Sequence, residues 1–149
     1  MRLRICLDTS VFGARRDDRV PDRRTLTEEF WGRIEAFEAS TSELTRREIS
    51  RTREPGLRAE MLALLARVAI ISLTDEMERL AERYVESGVF SPRSVEDALH
   101  VAAAVLSRQD ALLSWNFRHL VNRRRRAQIQ QVNALLGLPM IEILAPPEL

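Results

Sequence analysis

The chain has 149 residues, of which 45% are hydrophobic and 30% are charged, with a net charge of +1. This length is typical of one domain, so we expect a single domain over residues 1–149. The composition excludes a disordered protein, and no apolar run reaches membrane length. We therefore expect a cytoplasmic protein without a membrane partner. Cys6 is the single cysteine, which excludes an internal disulfide and a cysteine-rich zinc site.

All 23 basic residues are arginine. Arginine pairs bidentately with phosphate and stacks on bases, so this bias suits contact with nucleic acid. Codon bias from a GC-rich genome is nevertheless the simpler explanation of the missing lysines. The distribution of the arginines along the chain is therefore more informative than their number.

Short β-rich runs alternate with longer helical patterns, which is typical of a parallel sheet with helices on both faces. We predict an α/β fold of three layers, α/β/α, around a five-stranded parallel sheet. The predicted strands are residues 3–7, 36–41, 68–73, 111–114 and 140–144.

Helical patterns fill the first half of the chain between these strands. Residues 25–28, Thr-Leu-Thr-Glu, have the form of a capping box and predict the start of a helix. Ser42 is expected to cap a helix through about residue 53, which Pro55-Gly56 ends, and helical spacing resumes over 57–65.

Further helices are predicted in the second half. Thr74 is expected to cap one helix, and either Ser91 or Ser94 begins the next. The body of that next helix, residues 98–106, is apolar nearly all round, which predicts burial on most sides. The last helix, over about 123–136, is expected to stop at Gly137.

Two acidic residues lie where a sheet of this kind binds ligands. Asp8 directly follows the first predicted strand, and ligands bind at the carboxyl ends of parallel strands. Asp97 lies in the first turn of the apolar helix, at the positive end of the helix dipole. Each residue alone is explained equally well or better as a helix cap. Together, however, they could share a cation.

Glu48 and Asn116 are weaker candidates for the same site. Glu48 lies in the second turn of its predicted helix, beyond the reach of a cap, but it could also be an exposed residue among arginines. Asn116 follows the fourth strand, and its amide oxygen is either a weak ligand for a hard metal or part of an ordinary turn. His100 and His119 lack the spacing of a zinc site, and we assign neither to catalysis.

The arginine block Arg123, Arg124, Arg125 and Arg126 begins the last predicted helix, where the dipole disfavours cations. Phosphate is the natural partner, and a solvated loop or helix end is the alternative. A second basic region, or simply a mobile loop, is predicted in the stretch that contains Arg15, Arg16, Arg19, Arg23 and Arg24.

Four segments resemble, in order, the motifs of the PIN-domain family, which includes the VapC-type toxins of bacterial toxin–antitoxin pairs. They are residues 7–12 (Leu-Asp-Thr-Ser-Val-Phe), 42–49 (Ser-Glu-Leu-Thr-Arg-Arg-Glu-Ile), 96–104 (Glu-Asp-Ala-Leu-His-Val-Ala-Ala-Ala) and 113–120 (Leu-Ser-Trp-Asn-Phe-Arg-His-Leu). The third is the most specific, and the likeness spans almost the whole chain. The resemblance places the family's acids at Asp8, Glu48 and Asp97.

The resemblance implies a PIN-like fold and an Mg²⁺- or Mn²⁺-dependent endoribonuclease. It implies that Asp8 and Asp97 anchor the metal, that Glu48 orients water or a second ion, and that Asn116 is an auxiliary ligand. Many family members have aspartate where this chain has Asn116, although one branch with a similar Trp-Asn-Phe sequence also has asparagine. The implied partners are an RNA substrate, a cognate antitoxin protein and a second copy of the chain in a homodimer.

Two other functions are compatible with parts of the sequence. A non-catalytic RNA-binding or protein-interaction module with a degenerate metal site is suggested by the neutral Asn116 and the arginine block. A small phosphoryl-transfer domain shares the fold class, but the chain has no lysine to hold a transferred phosphoryl group. The metal-dependent ribonuclease is the function that we expect.

Overall fold

The computed structural model describes residues 1–14 and 21–149. Five strands form one sheet in the order β3-β2-β1-β4-β5, and every neighbouring pair is parallel. They are Arg4–Leu7 (β1), Glu38–Ser42 (β2), Ala69–Ile71 (β3), Ala111–Leu113 (β4) and Glu142–Leu144 (β5). The predicted α/β fold with a five-stranded parallel sheet is confirmed, with strands slightly shorter than the apolar runs suggested.

Helices connect the strands, as parallel pairing requires. In the described part of the chain they are Thr9–Gly13 (α1), Pro21–Gly32 (α2), Glu43–Ser50 (α3), Pro55–Leu65 (α4), Asp75–Glu86 (α5), Val95–Leu106 (α6) and Arg123–Leu135 (α7). Single turns of 3-10 helix occur at Ile34–Ala36, Pro92–Ser94 and Pro146–Glu148. None of the helices described has the length and apolar character to cross a membrane.

Two predicted helix boundaries are wrong. Helix α2 begins at Pro21, so the apparent capping box at 25–28 lies inside it, and the Thr27 hydroxyl donates to the Arg23 carbonyl one turn back. Pro55 begins α4 rather than ending α3, because proline at the first helical position has no N–H to leave unpaired. Glu54 caps α4 by accepting hydrogen bonds from two backbone N–H groups.

The interior is built around β1, the central strand. Ile5 and Leu7 are fully buried, as expected for a strand covered on both faces. Helix α6 is buried along most of its length, which confirms the prediction from its apolar sequence. In the sheet, Leu7 pairs with Leu113. The residues that follow β1 and β4 therefore lie side by side at one edge.

A buried hydrogen bond joins α5 to α7, and we expect its removal to lower stability. The Tyr84 hydroxyl donates to Oδ1 of Asn133 at 2.5 Å, and both residues are fully buried. Tyr84→Phe keeps the ring but leaves the amide oxygen without this donor, which should cost about 1–2 kcal/mol. Urea unfolding measures this loss, and the slope of the free energy of unfolding against urea concentration should not change. A loss below about 0.5 kcal/mol would show that the hydrogen bond contributes little.

Candidate active site

Asp8 is both a helix cap and a buried carboxylate at the edge of the sheet. Its side chain accepts a hydrogen bond from the Ser10 backbone N–H at 3.0 Å and thereby caps α1. The other carboxylate oxygen accepts from the Ser114 hydroxyl at 2.6 Å. Only 4% of the residue is exposed. The two roles that the sequence left open for Asp8 are therefore compatible.

Two serines that the sequence patterns did not single out hold the ends of β1 and β4 together. The Ser10 hydroxyl donates to Asp8 and accepts from the Trp115 backbone N–H at 2.8 Å. The Ser114 hydroxyl donates to Asp8 and accepts from the Asn116 backbone N–H at 2.9 Å. One signal could have identified Ser114, because it follows β4 just as Asp8 follows β1. The network fixes the orientation of the Asp8 carboxylate.

Glu48 is half-buried and points into the molecule rather than into solvent. Its Oε1 lies 2.7 Å from Nε2 of His100 and accepts a hydrogen bond from the Thr9 hydroxyl at 3.1 Å. His100, on α6, is 4% exposed. The exposed position considered for Glu48 is therefore wrong. His100 is a satisfied buried residue, as its apolar helix suggested, and the partner that satisfies it is Glu48.

Burial and neighbouring charges shift the pKa values of Asp8 and Asp97. Burial raises the pKa of Asp8, although His100 and the two serines oppose the shift. Burial also raises the pKa of Asp97, and the charges of Asp8 and Glu48 raise it further against the opposing histidines. We call Asp8, Glu48 and Asp97 the acidic cluster, because the charges of Asp8 and Glu48 both act on Asp97.

Glu48 and His100 are shifted towards their charged forms. Burial alone would raise the pKa of Glu48, yet the hydrogen bond and charge of His100, with the Thr9 hydroxyl, leave it below its ordinary value. Burial alone would lower the pKa of His100, yet its hydrogen bond to Glu48 and the charges of the acidic cluster raise it. The charged forms of Glu48 and His100 are therefore favoured in this hydrogen-bonded pair, whereas no residue within 1–14 or 21–149 gives Asp8 or Asp97 a hydrogen-bonded cationic partner.

Asn116 lies next to the cluster in the chain, but its side chain has a local role. Its amide oxygen accepts a hydrogen bond from the His119 backbone N–H at 2.9 Å, which closes a turn after β4. Its backbone N–H is bound to Ser114. The turn role that the sequence left open is observed, and a bound cation would have to share the same oxygen.

The donor set fits a hard divalent cation. Within residues 1–14 and 21–149, no group of three or more His, Cys, Asp or Glu side chains is arranged as a metal site. Mg²⁺ needs fewer protein ligands than this, because it usually keeps several waters and takes one or two carboxylates. Asp8 and Asp97 have the right oxygen donors, and burial raises the pKa of both, so that their charged forms carry a cost that a bound cation would offset.

Comparison with solved structures places this fold. A chain of the crystal structure of VapBC2 from Rickettsia felis, bound to a DNA fragment from their promoter, superposes with a TM-score of 0.56 and 13% identity. The match covers 95% of this chain and 97% of that one. The chain has a VapC-like, PIN-like fold. At this identity the likeness shows the fold alone, and it confirms the PIN-like fold that the motifs implied.

A second solved structure is similar but more distant. It is VapBC-5 from Mycobacterium tuberculosis, a member of the VapBC family of toxin-antitoxin systems, with a TM-score of 0.48 and 22% identity. The match covers 94% of this chain and 96% of that one. No family sequence model and no curated protein matches the chain.

In this PIN-like fold the arginine block does not act as a unit. Arg124 and Arg125 line a cavity of about 470 Å³. Arg126 forms an ion pair with Glu148 at 3.5 Å, and Arg123 is exposed at the start of α7. In the second basic region, Arg23 lies 5.1 Å from the centre of the Trp115 ring. The remaining residues of that region that precede Pro21, namely Arg15, Arg16 and Arg19, lie outside the described residues.

Proposed function

We propose that this chain is an Mg²⁺- or Mn²⁺-dependent endoribonuclease that acts at the acidic cluster. The observation that carries the proposal is the pair of carboxylates formed by buried Asp8 and half-buried Asp97. In the part of the chain that the structure describes, neither has the hydrogen-bonded cation that Glu48 has. Burying such charge costs free energy unless it is compensated. A divalent cation is the compensation that carboxylates at a strand edge are suited to bind.

Each residue would have a distinct role. Asp8 and Asp97 would hold the cation, with Asn116 as an auxiliary ligand. The cation would polarise the phosphoryl oxygen and lower the pKa of the attacking water. Both hydrogen bonds that the structure records to Glu48 end on Oε1. Its Oε2 would orient the water, and His100 would keep Glu48 ionised and in place.

The same proposal extends to the biological setting. The Rickettsia felis structure holds VapBC2 on promoter DNA, and this chain shares the fold of one of its chains. We therefore propose a toxin of a toxin–antitoxin pair, with a cognate antitoxin as protein partner and a second copy of the chain in a homodimer. A single domain in the cytoplasm is part of this proposal.

Cleavage of single-stranded RNA by the purified chain tests the proposal directly. We expect fragments from a mixed-sequence RNA in the presence of Mg²⁺ or Mn²⁺ and none in EDTA, because the carboxylates need the cation to act on a phosphodiester. A fluorescent RNA analysed by gel electrophoresis measures this. Cleavage that persists in EDTA would contradict a metal-dependent mechanism.

A non-catalytic RNA-binding module is the second candidate, and Asn116 favours it. A neutral residue at this position leaves the site with one less negative charge, and its amide oxygen already accepts a hydrogen bond. Isothermal calorimetry with Mn²⁺ separates the two candidates. RNA binding without metal binding and without cleavage would support the module, whereas metal binding with cleavage would support the enzyme.

A further inference from the structure

A basic cavity opens between the turn that follows β4, the start of α7 and the segment after α5. It has a volume of about 470 Å³. Among the described residues its lining includes three arginines, two amides and an aromatic ring, and no acidic side chain. They are Phe117, Arg118, Asn122, Arg124, Arg125 and Gln128. Three like charges that face one cavity repel one another unless an anion lies between them.

Arg125 is held in position by an aromatic ring. Its guanidinium group lies 4.4 Å from the centre of the Phe90 ring, which is buried. Such an arrangement orients a cation without using its N–H donors. Among the described residues, the Nη1 atom of Arg125 is buried and has no hydrogen-bond acceptor. A buried cationic donor without an acceptor is costly, and the negative charge of a phosphate in the adjoining cavity would offset that cost.

Asn122 fixes the geometry of the opposite wall. Its amide nitrogen donates to the carbonyls of Phe117 and Arg118 at 3.0 and 3.2 Å, and its amide oxygen accepts from the Arg125 backbone N–H at 2.8 Å. One side chain thus ties the turn that carries Phe117 and Arg118 to the helix that carries Arg125. The walls of the cavity are therefore preorganised before a ligand binds.

Phe117 provides an apolar surface at this cavity. The residue is 46% exposed, although it is aromatic and lies in a tight turn. Exposed aromatic rings beside arginines are the surfaces on which unpaired bases stack. An acidic protein segment would use the arginines but would gain little from the ring. The combination favours a single-stranded nucleic acid over an acidic peptide.

The cavity also adjoins the acidic cluster. The charge of Asp97 acts on Arg125 and partly opposes the lowering of the Arg125 pKa by burial. Phe117 and Arg118 directly follow Asn116, which the Ser114 hydroxyl links to Asp8. A strand bound in the cavity would therefore pass beside the acids.

We propose that Arg118 and Arg125 bind a backbone phosphate of single-stranded RNA in this cavity, with the adjoining base stacked on Phe117. The inference rests on the proposed ribonuclease function and identifies how its substrate is held. It assigns phosphate contact to one arginine of the block, Arg125, together with Arg118. Arg124 also lines the cavity, whereas Arg123 and Arg126 lie outside it.

Fluorescence anisotropy of a labelled 12-nucleotide single-stranded RNA in EDTA tests this inference, since EDTA separates binding from metal-dependent cleavage. We expect the double variant Arg118→Gln/Arg125→Gln to bind at least about 10-fold more weakly. The slope of log affinity against log salt should fall by about 0.7 for each phosphate that the variant no longer neutralises. The matched control Arg123→Gln/Arg126→Gln removes the same charge from the same region and should change affinity less than about 3-fold. Equal losses in both double variants would overturn the inference.

Two further variants guard against loss of folding and against the wrong ligand. Arg118→Gln alone changes an exposed side chain and should weaken binding in a protein whose melting temperature is unchanged. Phe117→Leu should weaken RNA binding about 5-fold or more, because leucine offers no ring for the base to stack on. Unchanged RNA binding in Phe117→Leu, with equally tight binding of a poly-glutamate peptide, would overturn the RNA assignment in favour of an acidic protein partner.

The cleavage assay is scored separately from binding. If the wild-type protein binds RNA through the cavity but does not cleave it with Mg²⁺ or Mn²⁺, the inference stands and the nuclease proposal fails. If the wild-type protein cleaves RNA and the Arg118→Gln/Arg125→Gln variant binds and cleaves it normally, the nuclease proposal stands and the inference fails.

Discussion

Asp97→Asn is expected to lower RNA cleavage by at least about 100-fold, because each 1.4 kcal/mol of lost transition-state stabilisation costs tenfold and a metal ligand supplies several kcal/mol.

The same change, Asp97→Asn, should raise the melting temperature of the metal-free protein. Burial and the charges of Asp8 and Glu48 hold the pKa of Asp97 above its ordinary value. A raised carboxyl pKa contributes stability at pH values below the unfolded pKa, and this contribution is lost as the pH rises through the folded pKa. At neutral pH the ionised carboxylate therefore destabilises the fold, and asparagine removes that charge.

Glu96→Gln is the matched control for Asp97→Asn. Glu96 is the neighbouring residue in the first turn of α6, is exposed, and lies 3.7 Å from Arg51. The change removes the same charge without touching the acidic cluster, so cleavage should stay within about twofold and stability should change by less than about 0.5 kcal/mol. Cleavage rates with Mg²⁺ and thermal unfolding in EDTA measure both effects. Comparable loss of cleavage in the two variants would refute a specific role for Asp97.

Much of the fold follows from local patterns. Each of the five strands overlaps a predicted strand, although β2 is mostly polar, and Thr74 caps α5 by accepting from a backbone N–H as predicted. The wrong predictions of helix boundaries occur at residue types that can have two different roles in a helix. Thr27 bonds back to the preceding turn instead of helping to cap a helix, and Pro55 starts a helix instead of ending one. Whether Thr27 or Pro55 starts a helix depends on where that helix begins in the structure. The start of the helix is set in turn by packing against the rest of the fold.

The site was only partly predictable, because its partners lie far apart in the chain. Asp8 could be selected from its place after a strand. Its hydrogen bond to Ser114 spans 106 residues and depends on the register of β1 and β4. The contact of Glu48 with His100 spans 52 residues and depends on how α3 packs against α6. Sequence spacing reports which helix face a residue occupies but not which other helix that face meets.

The dependence of this contact on helix packing explains why the partner of His100 could not be predicted from the sequence. A histidine on an apolar helix is usually structural, and nothing local to α6 reveals a carboxylate on α3. One local sign was present, since Asp97 and His100 are three residues apart and therefore share a helix face. The structure gives His100 a balancing role, because it acts on all three acids of the cluster. The arrangement leaves Glu48 paired and Asp8 and Asp97 available for a cation.

His100→Leu is expected to destabilise the protein by about 2–4 kcal/mol at mildly acidic pH, because Glu48 loses both its hydrogen-bond donor and its countercharge in a half-buried site. The pKa of His100 is raised above 6.5, so its contribution is full below that pH and is lost as the pH rises through the folded pKa. The pKa of Glu48 is lowered below 4.5, so its contribution is present above that pH and is lost as the pH falls through the folded pKa. The ion pair therefore stabilises the fold most between these two ordinary values.

His100→Gln separates the two contributions, because glutamine can still donate a hydrogen bond but carries no charge. We expect it to lose only the part of the stability that declines at alkaline pH, so wild type and His100→Gln should differ at about pH 5.5 and converge at about pH 9. His100→Leu should remain less stable than wild type at both pH values.

His119→Gln is the control, since His119 acts on Asp97 without bonding to Glu48. Urea unfolding at the two pH values measures all three variants. A difference between wild type and His100→Gln that does not change with pH would show that His100 is uncharged in the folded protein, and Glu48 would then be held by a neutral hydrogen bond alone.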